Sequence, residues 1–413
     1  MNLMLLVWNY LKAKPFNTFL NVLMLSLGVG VITILLLFNN QLQEKISENA
    51  RGIDLVVGAK GSPLQLILCN IFHVDLPTGN IKLADAERIA RNRHIKNSIP
   101  LALGDSYRGF RIIGTNRIYA NLYDGELLQG AWWNKNMEVT LGYNCSNLLN
   151  LKIGDEFVSN HGLSTQGHAH ESSHFIVTGI LARSNSVIDN LILTNVESVW
   201  EVHESHGNDS VGVAKNGIRS PLVPSVAAGD SLKEITALLV QYRSAMGAIQ
   251  LPRMINGQTR LQAASPAFES ARLFSIMGVG IDIMTAFGYI LIFISGLGIF
   301  IALYNSLKER KYDLAMMRVM GASKNRLFIS VLLEGTFLTL FGGIIGILLG
   351  HAAVATLPLV LQPMSKAGIS GLVFYQEEWI ILVVSLFLGI ICSLIPAFTA
   401  YRTDISKVLG GSQ

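Results

Sequence analysis

Residues 303–326 read Leu-Tyr-Asn-Ser-Leu-Lys-Glu-Arg-Lys-Tyr-Asp-Leu-Ala-Met-Met-Arg-Val-Met-Gly-Ala-Ser-Lys-Asn-Arg and stand between two long apolar runs. Lys308, Arg310, Lys311, Arg318, Lys324 and Arg326 outnumber Glu309 and Asp313, which marks a short basic loop on the cytoplasmic side of a membrane. Leu314, Met317, Val319 and Met320 are apolar yet fall outside any span. Burial against a partner protein or the bilayer surface accounts for them. The charges alone fit an ordinary positive-inside loop equally well, and both readings stand at this point.

Working outward, uncharged apolar runs cover 19–38, 283–304, 327–361 and 379–401, the third interrupted by Glu334 and His351. Each supplies the roughly 20 residues that cross a hydrocarbon core of about 30 Å. Half of the chain is hydrophobic and the mean hydropathy is +0.43, as a polytopic membrane protein requires. The net charge of +4 gives no reason to expect nucleic acid as a partner. Lys12 and Lys14 precede the first run, and Arg402 and Lys407 follow the fourth. Together with the basic loop they put both termini in the cytoplasm and residues 39–275 and 353–378 outside. The expected spans are 16–38, 276–304, 327–352 and 379–401, with a cytoplasmic loop at 305–326 and a tail at 402–413. Residues 1–15 read as an interfacial helix on the inner leaflet, with Trp8 and Tyr10 at headgroup level and Pro15 at the bend. The first apolar run is long and ends in no small-residue cleavage site, so an uncleaved anchor is expected rather than a signal peptide.

The outer segment 39–275 is large enough for its own core. Strands are expected at 54–58, 98–103, 108–114, 138–141, 157–160, 175–181, 191–194 and 234–242. Helices are expected at 83–92, 196–203 and 266–274, the last running on into the second span. This is a mixed α/β domain inserted between helices 1 and 2 of an α-helical membrane domain of four transmembrane helices. Residues 50–105 and 228–275 form its membrane-proximal part, 106–222 a β-rich lobe, and 214–230 a linker. Cys69 and Cys145 either pair or remain single thiols, since spacing does not decide, and Cys392 lies in the fourth span.

Three stretches carry a family resemblance. Residues 9–20, Asn-Tyr-Leu-Lys-Ala-Lys-Pro-Phe-Asn-Thr-Phe-Leu, lead into Leu25-Ser-Leu-Gly-Val-Gly-Val. Residues 309–323 read Glu-Arg-Lys-Tyr-Asp-Leu-Ala-Met-Met-Arg-Val-Met-Gly-Ala-Ser, with Glu334-Gly335 beyond them. Pro396, Ala397, Ala400, Arg402, Asp404, Ile405 and Leu409 close the chain. In this pattern the chain resembles the permease subunits of the MacB and FtsX superfamily of ABC transporters. Asp313 stands where that family usually has Glu, and Met317 where Leu is common. The resemblance implies a MacB-like core domain, a bacterial inner membrane and mechanotransmission, in which the cycle of an ATPase moves the outer domain. The chain contains no Gly-x-x-x-x-Gly-Lys-Ser/Thr loop, so it has no nucleotide site of that kind and is expected to be non-catalytic. A separate ABC ATPase subunit would then supply the energy. Lys308, Glu309, Arg310, Leu314, Met317, Arg318, Gly321 and Ala322 would form the coupling element. Two permeases, as a homodimer or heterodimer, would sit on two ATPases, with a periplasmic adaptor or substrate-binding protein as a further partner. A helix from about 266 to 304 would serve as the lever.

Within the spans, Gly342, Gly346 and Gly350 recur every four residues and present a smooth face for close packing, as Ser26 and Gly30 do in the first span. That face is either a packing seam or a sliding interface. Glu334 lies seven residues past Leu327, about 10 Å into the span, and needs a partner there. Arg318, Arg326 or a lysine of the N-terminal helix is expected in an intramembrane ion pair. His351 and Asp282 fall near outer span ends, where solvent or headgroups satisfy them.

Six of the nine histidines fall between 161 and 206. His161, His168, His170 and His174 cluster around a hairpin loop, and imidazoles so spaced suit zinc or another transition metal; a polar solvated loop fits as well. No nucleophile–base constellation stands out. The function expected is that of a permease subunit for export or extraction of a substrate, transition-metal related if the histidines bind. The alternative is a non-transporting signalling scaffold that activates an outer partner such as a cell-wall hydrolase.

Overall fold

The computed structural model describes residues 3–161, 169–209, 233–360 and 368–402. It divides into two units, one of Met1–Leu42 with Ile276–Gln413, the other Gln43–Ser275. The chain begins with α1 (Leu3–Ala13) and α2 (Pro15–Asn49), separated at Lys14. Pro15 opens α2, where its missing N–H costs nothing.

The second unit is a mixed sheet with helices on both faces. Its first elements are β1 (Leu55–Ala59), α3 (Pro63–Asn70), β2 (Ile81–Lys82), α4 (Leu83–Ala90), β3 (Ile95–Tyr107), β4 (Phe110–Gly114) and α5 (Arg117–Asn121). Next come β5 (Leu127–Gly130), β6 (Glu138–Leu141), α6 (Tyr143–Leu149), β7 (Glu156–His161), β8 (Ala169–Leu181), β9 (Leu191–Thr194) and α7 (Val196–Asp209). It closes with β10 (Glu234–Ile235), β11 (Ala237–Tyr242), α8 (Ala245–Gln258) and β12 (Leu261–Ala264). Among the described residues ten strands form one sheet in the order β12-β1-β11-β3-β4-β9-β6-β8-β5, with β7 against β3 and β8.

Alternation along the central strands sends side chains into two separate cores, which is why β1 and β11 read as unbroken apolar runs. Val56, Leu101 and Leu239 join Leu66, Ile67 and Tyr119 on one face. Leu55, Val57, Leu238 and Val240 join Ile89, Leu251 and Ile255 on the other. A third cluster, with Phe110, Val139, Phe157 and Phe175, fills the part of the sheet around β4, β6, β7 and β8. The lobe division expected at 105/106 falls inside β3, which both parts share. Leu101 pairs with Ala237 of β11, and the next residue, Ala102, pairs with Gly114 of β4.

Several boundaries differ from expectation for local reasons. The strand expected at 108–114 starts at Phe110, because Arg108 (φ 47) and Gly109 (φ 81) form the tight turn from β3. The strand expected at 234–242 breaks at Thr236, whose hydroxyl accepts from the Leu103 N–H at 2.9 Å. Cys69 and Cys145 are free and buried, and they sit in different clusters, so they form no bridge. His73 is a core histidine, its Nε2 2.9 Å from the Tyr119 hydroxyl. Burial, aided by the charge of Arg111, pulls its pKa down to about 3 and keeps it neutral. The expected linker at 214–230 lies outside the described residues.

α9 (Pro266–Glu309) starts in the second unit and from Ile276 belongs to the first, which continues with α10 (Lys311–Val319), α11 (Lys324–Val360) and α12 (Glu377–Tyr401). α2, α9, α11 and α12 are long and apolar enough to cross a membrane. α11 passes unbroken through Glu334 and His351 and continues beyond 352 to Val360. Gly389 of α12 faces Thr339 of α11, and Gly335 of α11 faces Ser393 of α12, so these helices meet with little between their backbones.

Candidate coupling site at the basic turn

The chain leaves α9 at Glu309 and turns at Arg310, whose backbone (φ −96, ψ 13) departs from the helix for one residue before α10 begins. Leu314, Ala315 and Met317 occupy the inner face of α10 and are buried. Leu314 and Met317 pack with Leu307, Leu327, Val331, Ala397 and Ala400. At its end the Gly321 N–H donates to the Arg318 carbonyl at 3.0 Å and the Ala322 N–H to the Met317 carbonyl at 2.9 Å. This pair of bonds is a Schellman motif, and it requires the left-handed backbone that Gly321 adopts at φ 96. Ala322 then packs against the Met317 cluster. Gly321 and Ala322, expected as coupling residues, thus shape the turn.

Arg310 is the centre of the site. Its guanidinium lies 3.6 Å from the Glu334 carboxylate, with the two side chains 13% and 11% exposed. The same group stacks over the Tyr10 ring at 4.0 Å from its centroid and donates to the Tyr10 carbonyl at 3.4 Å. Glu309 pairs with Lys14. The ion-pair partner of Glu334 is Arg310, a residue not among the expected ones, and Lys14 of the expected N-terminal lysines also acts on it electrostatically. The break at 310 aims this side chain inward, a feature that charge counting along the loop does not reveal. Through Arg310, α1, α10 and α11 meet at one point.

Other predicted residues lie outward. Lys308 is exposed, with its ammonium 4.8 Å over the Tyr304 ring, and Arg318 is half-buried. Leu314 and Met317 are used inside the chain, so the apolar surface of the turn is Tyr312, Met316, Val319 and Met320. Lys311, Lys324 and Arg326 are exposed around it.

The glycine row of α11 packs on α2. A Cβ on Gly342 would meet Leu25 at 2.8 Å, one on Gly346 would meet Val29 at 2.6 Å, and one on Gly350 would meet Thr33 at 2.7 Å. A Cβ on Gly30 would in turn come within 3.3 Å of the Gly346 carbonyl, so the two small-residue rows face each other.

The histidines are divided. His168 lies outside the described residues, as do the side chains of His161 and His170. His174 is exposed on β8, opposite Val158 of β7. Among the described residues no group of three or more His, Cys, Asp or Glu is arranged to hold a metal. His351 departs from expectation. It is buried with Glu378, the two side chains 2.8 Å apart, instead of meeting solvent or headgroups.

Models of two protein families match the chain. The MacB-like periplasmic core domain matches residues 18–241 and the FtsX-like permease C-terminal region residues 285–405. An uncharacterized ABC transporter permease of Methanocaldococcus jannaschii is 23% identical over 137 residues, covering 33% of this chain and 34% of that protein. The uncharacterized ABC transporter permease YknZ of Bacillus subtilis is 24% identical over 140 residues, covering 34% of each. The matches thus span about a third of the length of those relatives. Among solved structures, the periplasmic region of MacB from Actinobacillus actinomycetemcomitans aligns with 55% of this chain and 97% of its own, at 13% identity and a TM-score of 0.33. The extracellular domain of YknZ from Gram-positive bacteria aligns with 52% and 99%, at 12% identity and a TM-score of 0.29.

Proposed function

The chain belongs to the ABC transporter permeases that carry a MacB-like periplasmic core domain and an FtsX-like C-terminal region, and from that membership we propose that it couples a separate ATPase to movement of its α/β unit. The basic turn is the docking element. The observation that carries this reading is the division of labour within α10. Leu314 and Met317 fix the helix to the chain, while Tyr312, Met316, Val319 and Met320 remain exposed beside Lys308 and Lys311. An apolar patch rimmed by cations suits a protein partner. A push on that surface reaches α1 and α11 through Arg310. α9, one helix from Pro266 to Glu309, is the lever we assign to the coupling.

The test substitutes the exposed face and leaves the Arg310 junction intact. Val319→Asp with Met320→Asp is expected to abolish co-purification with the ATPase subunit while leaving the melting temperature of the permease unchanged. Retained co-purification in that double variant removes α10 as the docking element. For the cargo we propose a substrate related to a transition metal, for which His161, His168, His170 and His174 would be the ligands.

A further inference from the structure

Residues 368–380 close the end of the α11–α12 pair remote from the basic turn, and their polar atoms are turned inward. The Gln41 amide grips Ser370 twice, its Nε2 donating to the Ser370 carbonyl at 2.8 Å and its Oε1 accepting from the Ser370 N–H at 2.7 Å. The Leu372 N–H donates to the Ser370 hydroxyl at 3.2 Å. Gly371 lies flat on α11, where a Cβ would meet the Ala355 nitrogen at 2.6 Å. The Gly371 carbonyl is 2.7 Å from His351 Nδ1. Being only an acceptor, that carbonyl fixes Nδ1 as the donor. Nε2 lies 2.8 Å from Glu378 Oε2, and Oε1 of the same carboxylate accepts from the Tyr375 N–H at 2.9 Å.

Several apolar side chains of the same stretch are exposed beside Gln376 and Glu377, while Phe374 lays one ring face on His351 at 4.2 Å and Tyr375 packs inward. Leu372 is 83% exposed, Phe374 69% and Trp379 71%, with Val373 and Ile380 beside them. A loop facing water normally shows polar side chains and leaves much of its backbone to solvent. Here the backbone groups of Ser370, Gly371 and Tyr375 that bond do so within the protein, while Leu372, Val373 and Phe374 show hydrocarbon outward, which suits the membrane interface better than open water. The stretch also runs directly into a span. α12 begins at Glu377 and has 25 residues, about 37 Å at 1.5 Å per residue. Its first turn, which carries Trp379, therefore stands at the edge of a core of about 30 Å, where tryptophan concentrates.

We propose that residues 371–380 form a membrane anchor, with Leu372, Phe374 and Trp379 inserted among the acyl chains of the leaflet at that end of the spans. His351, Glu378 and Gln41 hold the loop in that posture. The partner is the lipid itself. The proposal rests on the reading of α12 as a span, and the test separates the two.

The full chain is placed in vesicles of phosphatidylethanolamine and phosphatidylglycerol containing a nitroxide-labelled lipid. One version carries an environment-sensitive fluorophore on Leu372→Cys, another on Phe387→Cys, an exposed position within α12. Unsubstituted protein labelled in parallel reports any contribution from the native cysteines. The anchor predicts that the label at 372 loses most of its emission to nitroxide lipid and little to aqueous iodide. Quenching by iodide at 372, with 387 still quenched by lipid, overturns the anchor and leaves the span. Protection from both quenchers at 372 also overturns it, because a protein then covers the face. Quenching by iodide at both positions would overturn the span and the anchor together.

Discussion

Arg310 shows how much one side chain changes the meaning of a charged loop. Counted among the basic residues of 303–326 it is one more inward-facing charge, yet the fold removes it from that group and joins it to Glu334. Breaking a buried pair from one side leaves the other charge without compensation, at a cost of about 3–5 kcal/mol. Arg310→Ala is therefore expected to lower the stability of the purified permease by about 3 kcal/mol, at the low end of that range because Tyr10 and Lys14 remain nearby. Arg310→Met with Glu334→Leu should recover a substantial part of that loss. Thermal unfolding of the three proteins in one detergent checks both statements. A double variant no more stable than Arg310→Ala would show that the pair is not what holds the junction. The need of Glu334 for a partner was legible from its depth in an apolar run. The partner was not, because the backbone break at 310 that redirects the arginine has no marker residue such as Gly or Pro.

Helices and strands were legible to different degrees. The four-residue glycine spacing in α11 announced close packing, and the small residues of α2 were visible as its counterpart. What spacing does not give is the distance, and that sets the cost of an added methyl. At Gly346 a Cβ meets both Val29 and the Ser26 carbonyl, at 2.6 and 2.8 Å, and backbone cannot swing aside. At Gly343 the nearest atoms are those of Ser385, at 3.3 and 3.4 Å. At Gly280 nothing lies within 4 Å. Gly346→Ala is thus expected to cost about 1–3 kcal/mol by overpacking, Gly343→Ala clearly less, and Gly280→Ala nothing. Melting temperatures that fail to follow this order would place the α2–α11 contact elsewhere. Within the α/β unit, α8 escaped notice because it runs unbroken through Pro252, a residue that reads as a helix breaker, and β12 because Leu261–Ala264 holds no β-branched residue.

At the scale of the whole molecule, hydropathy and charge are local properties, and so the four long apolar helices and the existence of a separate α/β unit could be read directly. Sheet order is not local. Leu55 pairs with Val240 and Val56 with Ala264, partners separated by most of the unit, and no turn signal joins them. Calorimetric titration of the full chain with zinc is expected to show a saturable site that is lost in a His168→Ala, His170→Ala, His174→Ala variant. An identical isotherm for the two proteins would leave those histidines as a solvated loop and remove the reason to connect the cargo with metal.

One feature of the sheet bears on how such proteins diversify. β3 pairs with β11 through its first half and with β4, toward the lobe at 106–222, through its second, and the handover falls between Leu101 and Ala102. The lobe is consequently not a cassette that recombination can lift out at a loop. Any graft of residues 106–222 from a relative inherits a strand whose register was written for its former neighbour. Exchanges confined to loops leave that register untouched, so the central strand ties the two halves of the sheet to one another whenever one of them changes.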